Sequence, residues 1–310
     1  MSHIYIYSPS SAVRDKAVFR RGIRRLQALG HEVEIDPHTL SSAMRFAGDD
    51  ETRLAAIHRA AASGAAVAMI ARGGYGLTRI LPGIRYKDLA KAIERGTQFV
   101  GFSDFTALQL GLLSRTGAGS WAGPSVCDDF GAKVEADGSP DIVMEACFDD
   151  FLQGQGEGAG WRVAAERGAA VGPDLEINKS VLWGGNLAVL VSLLGTPYFP
   201  EVRGGTLFLE DVGEHPYRVE RMLTQLLHSG VLARQKALVL GQFTAYKAAP
   251  NDKGFKFETV VQWLRSHLKP PVLTNLPMGH VATKVMLPVG RKVSLTLQQR
   301  DAFLLWEHGH

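Results

Sequence analysis

The chain has little cysteine: Cys127 and Cys147 are its 2 cysteines in 310 residues. Two cannot build a disulfide framework, and neither has a partner at C-x-x-C spacing, which argues against a zinc site made of thiolates. A surplus of one charge is also missing. Lys and Arg number 34 against 31 Asp and Glu, a net charge of +3. That leaves no electrostatic footprint for nucleic acid. The one basic run, Arg20, Arg21, Arg24 and Arg25, falls on a helical pattern and reads as a solvated helix face. No apolar run approaches the roughly 20 residues that a membrane span needs. The opening residues, Met1-Ser-His-Ile-Tyr-Ile-Tyr, have the pattern of a strand and not of a secretory signal, so a cytoplasmic protein without a membrane partner is expected. A complete dinucleotide fingerprint is absent too. Arg72-Gly73-Gly74-Tyr75-Gly76 follows a strand pattern, but G-G-Y-G is neither G-x-G-x-x-G nor a Walker loop, so no nucleotide cofactor is implied.

What is present is an ordinary globular composition, 45% apolar and 21% charged, on a chain long enough for two domains. The first half alternates predicted strands (3–7, 31–35, 65–71, 98–101) with predicted helices (13–29, 49–62), and Gly30 and Gly64 stop the helices. This pattern predicts a parallel sheet with helices on both faces. Sites in such sheets lie beyond the carboxyl ends of the strands. Ser8-Pro9-Ser10, residues 72–76 and Ser103 all follow strands and should converge on one edge. Residues 154–172 are rich in glycine and alanine with little periodicity, which reads as a linker. The expected division is an N-terminal α/β domain (1–153), a linker (154–174) and a β-rich domain (175–310). In the last of these, Asn186 reads as a helix cap. A strand at 206–210 delivers Glu210 and Asp211, a helix follows at 217–228, and 293–297 with 302–306 form a terminal hairpin.

At Gly101-Phe102-Ser103-Asp104 a period of two gives way to a period near 3.6. Ser103 is therefore expected on a tight strand-to-helix turn, where nucleophilic serines are presented. The alternative is that Ser103 simply caps the following helix. The usual elbow has glycine two residues after the serine, and here Phe105 stands in that place. A serine nucleophile needs a base and an orienting acid. His280, in a loop after Gly279, and Glu210, at a strand end, are candidates, and the order Ser, Glu, His occurs in α/β-hydrolases. Glu210 could instead pair with Arg218 or Arg221. The N–H groups of Gly73 and Gly74 could form half of an oxyanion hole with that of Asp104 as the other half, or the glycines could be an ordinary turn.

Several segments in order carry a resemblance: Ser8-Pro9-Ser10, residues 72–76, Gly101 to Asp104, Gly123-Pro124, Gly184 to Asn186, Gly195 to Tyr198, Leu209 to Asp211, and Gly279-His280. With these the chain resembles the LD-carboxypeptidases, the serine peptidase family that includes murein tetrapeptide carboxypeptidase. It departs from them at Phe102, where tyrosine is usual, at Gln109, where histidine is, and at Ser120-Trp121-Ala122. The resemblance implies that Ser103, Glu210 and His280 are the catalytic residues. It implies an α/β fold: a Rossmann-like N-terminal domain of the glutamine-amidotransferase type and a smaller β-rich, swivelling C-terminal domain. The implied reaction cleaves the bond between an L-centre and a terminal D-amino acid, in cytoplasmic recycling of murein peptides, by a homodimer without metal or other cofactor. A carboxypeptidase must recognise a free carboxylate, and a guanidinium suits this. Arg72 is the first candidate and Arg218 and Arg221 follow, unless Arg72 is held in an ion pair within its own domain. With Ser103 in one domain and the other two residues in the second, catalysis is expected to depend on domain closure. Two alternatives stand: a hydrolase like the microcin C7 self-immunity proteins, acting on aminoacyl-nucleotide-like antibiotics, and a non-catalytic binding protein on the same scaffold.

Overall fold

The computed structural model describes residues 1–164 and 174–307. In the N-terminal half, strands β1 (His3–Tyr7), β2 (Glu32–Ile35), β3 (Val67–Ile70), β4 (Gln98–Gly101) and β5 (Ser120–Ala122) alternate with helices. The helices are α1 (Lys16–Ala28), α2 (Asp50–Ala62), α3 (Leu77–Ile80), α4 (Tyr86–Glu94), α5 (Thr106–Thr116) and α6 (Ile142–Gln153). The first begins three residues later than the sequence pattern predicts, because the Asp15 carboxylate accepts the N–H groups of Ala17 and Val18 and so fixes the start there. The second begins where predicted, with Asp49 accepting the N–H of Thr52.

The basic run is only partly a solvated face. Arg20 and Arg24 are exposed. Arg21 instead donates to the Gly131 carbonyl at 2.7 Å, and Arg25 donates to the carbonyls of Phe130, Ala132 and Gly138. Two of the four arginines thus fasten α1 to the segment after Phe130, whose carbonyls have no helix or sheet to satisfy them.

The second half holds β6 (Gly158–Arg162), β7 (Leu175–Asn186), β8 (Thr206–Val212), β9 (Ala237–Thr244), β10 (Val272–Leu273), β11 (Leu287–Val289), β12 (Lys292–Gln298) and β13 (Asp301–Trp306), with helices α7 (Leu187–Ser192), α8 (Pro216–His228) and α9 (Phe257–His267). Two sheets result. The six-stranded one has the order β11-β5-β4-β3-β1-β2, and the seven-stranded one β10-β9-β8-β7-β12-β13-β6. Among themselves β1 to β5 pair only in parallel. The second sheet is mixed: β7 to β10 pair in parallel, while β12, β13 and β6 add on antiparallel.

The proposed linker is corrected by β6, whose residues pair with β13. Its small residues concealed a strand: Ala159 and Trp161 point inward and alternate with exposed Gly158, Gly160 and Arg162. Residues 165–173 of that stretch lie outside the described residues. The halves also share structure. β11 comes from the C-terminal half and pairs antiparallel with β5 at the edge of the first sheet. Helix α5 packs Leu108 and Leu112 into one core cluster with Trp183, Leu187 and Leu190 of the second half. Among the described residues no helix is long and apolar enough to cross a membrane.

Candidate active site

Ser103 follows β4 in a short turn that leads into α5. Its φ is 63°. A non-glycine residue held there is strained, and such strain collects at functional sites. No side chain caps the turn or the helix, so the helix-cap alternative for Ser103 does not hold. The glycine loop explains how the serine is held. A Cβ on Gly73 would lie 2.8 Å from Ser103 Cβ, so only glycine allows this approach. The missing elbow glycine has a physical explanation as well. Phe105 is fully buried in the core, and the space it needs comes from Gly101, where a Cβ would meet the Phe105 ring at 2.8 Å.

The three residues named from sequence come together. His280 Nε2 lies 3.1 Å from Ser103 Oγ, and His280 Nδ1 lies 2.9 Å from Glu210 Oε2. A carboxylate can only accept, so Nδ1 carries a proton; in the neutral imidazole Nε2 is then the acceptor for the serine hydroxyl. Glu210 is 1% exposed, near the end of β8. Its partner is His280 and not Arg218, which pairs with Glu214 at 2.6 Å. Burial by itself would depress the His280 pKa. The hydrogen bond and charge of Glu210, helped by Asp128, outweigh burial and the opposing charge of Lys284, so the imidazole titrates above its ordinary value.

Asn186 and Asp211 also belong to the site, although sequence reasoning gave neither a role in it. Asn186 Oδ1 caps α7 by accepting the Val189 N–H, as expected, but its Nδ2 donates to Glu210 Oε1 at 3.2 Å and Asp211 Oδ1 at 3.0 Å. Its backbone N–H donates to Thr106 Oγ1 at 3.0 Å, joining β7 to the start of α5. Asp211 is pushed up to about 6 by burial and by the adjacent Glu210 charge, against the N–H donors of Val212, Ala188 and Asn186. The signal for this cluster lay in two short motifs, Gly184 to Asn186 and Leu209 to Asp211. Their contact depends on the parallel register that sets Asn186 opposite Glu210.

Gly73 stands beside Ser103 as the sequence suggested, whereas Gly74 lies against Ser11; among the described residues the N–H groups of both have no backbone acceptor. The Asp104 carboxylate accepts the Leu77 N–H at 2.9 Å, which ties the serine turn to the far end of the glycine loop. Arg72 donates to the Ala12 carbonyl at 3.2 Å and makes no ion pair among the described residues, so the ion-pair alternative for it fails and the rest of its fork is uncommitted. Among the described residues no three His, Cys, Asp or Glu side chains gather as metal ligands.

A serine held in strain and engaged by an imidazole that a buried carboxylate orients equips the molecule as a serine hydrolase. The chain belongs to the LD-carboxypeptidase family: residues 4–123 match the LD-carboxypeptidase N-terminal domain and residues 179–295 the C-terminal domain. It is 28% identical over 297 residues to the murein tetrapeptide carboxypeptidase of Pseudomonas aeruginosa, covering 94% of this chain and 92% of that one. The crystal structure of muramoyltetrapeptide carboxypeptidase from Oxalobacter formigenes superposes with a TM-score of 0.86 at 37% identity, covering 100% of both chains. The microcin C7 self-immunity protein MccF, in complex with glutamyl sulfamoyl guanosine, has a TM-score of 0.82 at 20% identity, covering 100% of this chain and 97% of that chain, and shares the fold. The chain is a serine-type carboxypeptidase.

Proposed function

We propose that this protein removes the terminal D-alanine from murein tetrapeptides, with Ser103 as nucleophile, His280 as general base and acid, and Glu210 as the orienting carboxylate. Ser103 Oγ attacks the carbonyl of the bond between the L-centre and the D-residue. His280 Nε2 takes the serine proton and then gives it to the leaving amine; a water molecule, activated by the same imidazole, releases the acyl group. Glu210 keeps the proton on Nδ1 and stabilises the imidazolium. The N–H groups of Gly73, Gly74 and Asp104 receive the negative oxygen of the tetrahedral intermediate. Arg72 binds the free carboxylate of the D-residue. The setting is cytoplasmic recycling of murein peptides, by a homodimer.

The observation that carries this reading is the continuous relay from Ser103 through His280 to Glu210, at 3.1 and 2.9 Å, beside a glycine loop that opens with an arginine free of any ion pair among the described residues. The names of the relatives support the choice of peptide. A tetrapeptide amidated at its C-terminal D-alanine tests it. Loss of a charge-assisted pair costs about 1.5–3 kcal/mol, so the amide should be cleaved about 10- to 150-fold more slowly than the free acid. Equal cleavage of the two would refute the carboxypeptidase reading of the site.

A further inference from the structure

Lys284 and Asp129 form an ion pair with side chains only 2% and 0% exposed. Two charges buried this deeply are costly, and apolar residues of similar shape would often be as stable or more so. Stability alone therefore does not account for the pair. Its surroundings suggest another use. Lys284 lies four positions after His280, and its ammonium donates to Asp129 and to the Val281 carbonyl. The same ammonium sits 4.7 Å from the centre of the Phe102 ring, and that ring is 5.0 Å from the His280 ring. Asp129 is itself fixed, accepting the Ser125 N–H at 2.7 Å.

The loop that carries His280 has a second fastening and a third. Thr283 Oγ1 donates at 2.6 Å to Asp141, the residue that caps α6. Just beyond, β11 joins β5. By sequence the histidine belongs to the C-terminal half. By contact its loop is bolted to the half that carries Ser103.

We infer that Lys284 is a positioning residue for the reaction: with Asp129 and the Phe102 ring it holds the His280 imidazole in register with Ser103 and sets a fixed positive charge beside it. The inference rests on the serine mechanism proposed above. The other charges facing His280 are carboxylates. Glu210 and, behind it, Asp211 come from β8, and Asp128 and Asp129 from the segment Val126–Phe130. Each of these favours the imidazolium. Lys284 is the opposing charge, and it resists protonation of the base.

The test is Lys284→Met, which keeps the aliphatic stem and removes the charge, with Lys284→Arg as the conservative variant and Asp129→Asn/Lys284→Met as a neutral pair. Each protein is melted, then treated across a pH series with a serine-reactive fluorophosphonate, and labelling of Ser103 is timed by mass. Loss of register by about 1 Å costs on the order of 100-fold. K284M should label about 100-fold more slowly than wild type, with its acid limb moved to higher pH, and tetrapeptide turnover should fall in kcat with KM little changed. K284R should keep the wild-type limb. The neutral pair should melt like wild type and still label slowly, with a limb near the wild-type one because an opposing and a favouring charge leave together; its rate decides the matter if K284M does not fold. Wild-type labelling rate in either neutral variant, or a wild-type limb in K284M, would overturn the positioning role. Failure of wild type itself to label at Ser103 would instead overturn the serine mechanism, and this inference with it.

Discussion

At the scale of single residues, the site depends on one imidazole held between a hydroxyl and a carboxylate. In the proposed mechanism His280 acts as a base only when neutral, and the hydrogen bond and charge of Glu210 hold its pKa above the ordinary imidazole value. The rate should therefore fall as pH drops through a midpoint above that of an ordinary imidazole. Glu210→Gln removes the charge that raises this pKa, so the acid limb should move to lower pH. The amide can also favour the wrong tautomer, and a comparable change in another serine protease cost about 10⁴-fold in kcat. A pH–rate profile beside a thermal melt checks both. Parallel loss of rate and melting temperature, with an unmoved limb, would make Glu210 a structural residue. Ser103 and Glu210 were candidates in the sequence because each lies at the end of an element, His280 because of its loop after Gly279, and the resemblance to the LD-carboxypeptidases joined the three; the structure brings them within hydrogen-bonding distance. Asn186, Asp211, Asp129 and Lys284 were not legible in this role. The pairs Asn186–Glu210 and Lys284–Asp129 join side chains 24 and 155 positions apart, and local pattern carries no information about such pairings.

At the scale of elements, the strand-to-helix turn and the glycine loop work as one unit. Gly73 lies against the serine side chain, and Asp104 grips the loop at Leu77. Gly73→Ala would place a methyl group 2.8 Å from Ser103 Cβ, closer than real contacts allow. Ser103 or the loop must shift, and a displacement of about 1 Å at a reacting centre can cost about 100-fold. Turnover should fall by about that factor while the far-UV spectrum is kept; wild-type turnover would show that the loop does not set the serine's position. The alternation of strands and helices in the first half was readable because β1, β3 and β4 are apolar and the helices between them have clear starts and stops. β6 was not readable. Three of its five residues are Gly, Ala and Gly, and only pairing with β13 makes it a strand.

At the scale of the whole molecule, the sequence suggested two domains whose closure brings Ser103 to Glu210 and His280. The structure ties them more closely. β11 completes the first sheet from the far end of the chain, α5 packs into the second half, and both core clusters draw residues from both halves. Calorimetry should therefore give one cooperative unfolding transition, and two resolved transitions would mean that the halves are separate units. The proposed reaction turns on Ser103. The measurement that tests it most directly is release of D-alanine from a defined L,D-tetrapeptide, read by mass, for wild type and Ser103→Ala in parallel. In a comparable serine hydrolase, loss of the nucleophile cost on the order of a million-fold in kcat. The account predicts stoichiometric D-alanine from wild type and none above background from the variant. Near-normal release by Ser103→Ala would contradict it.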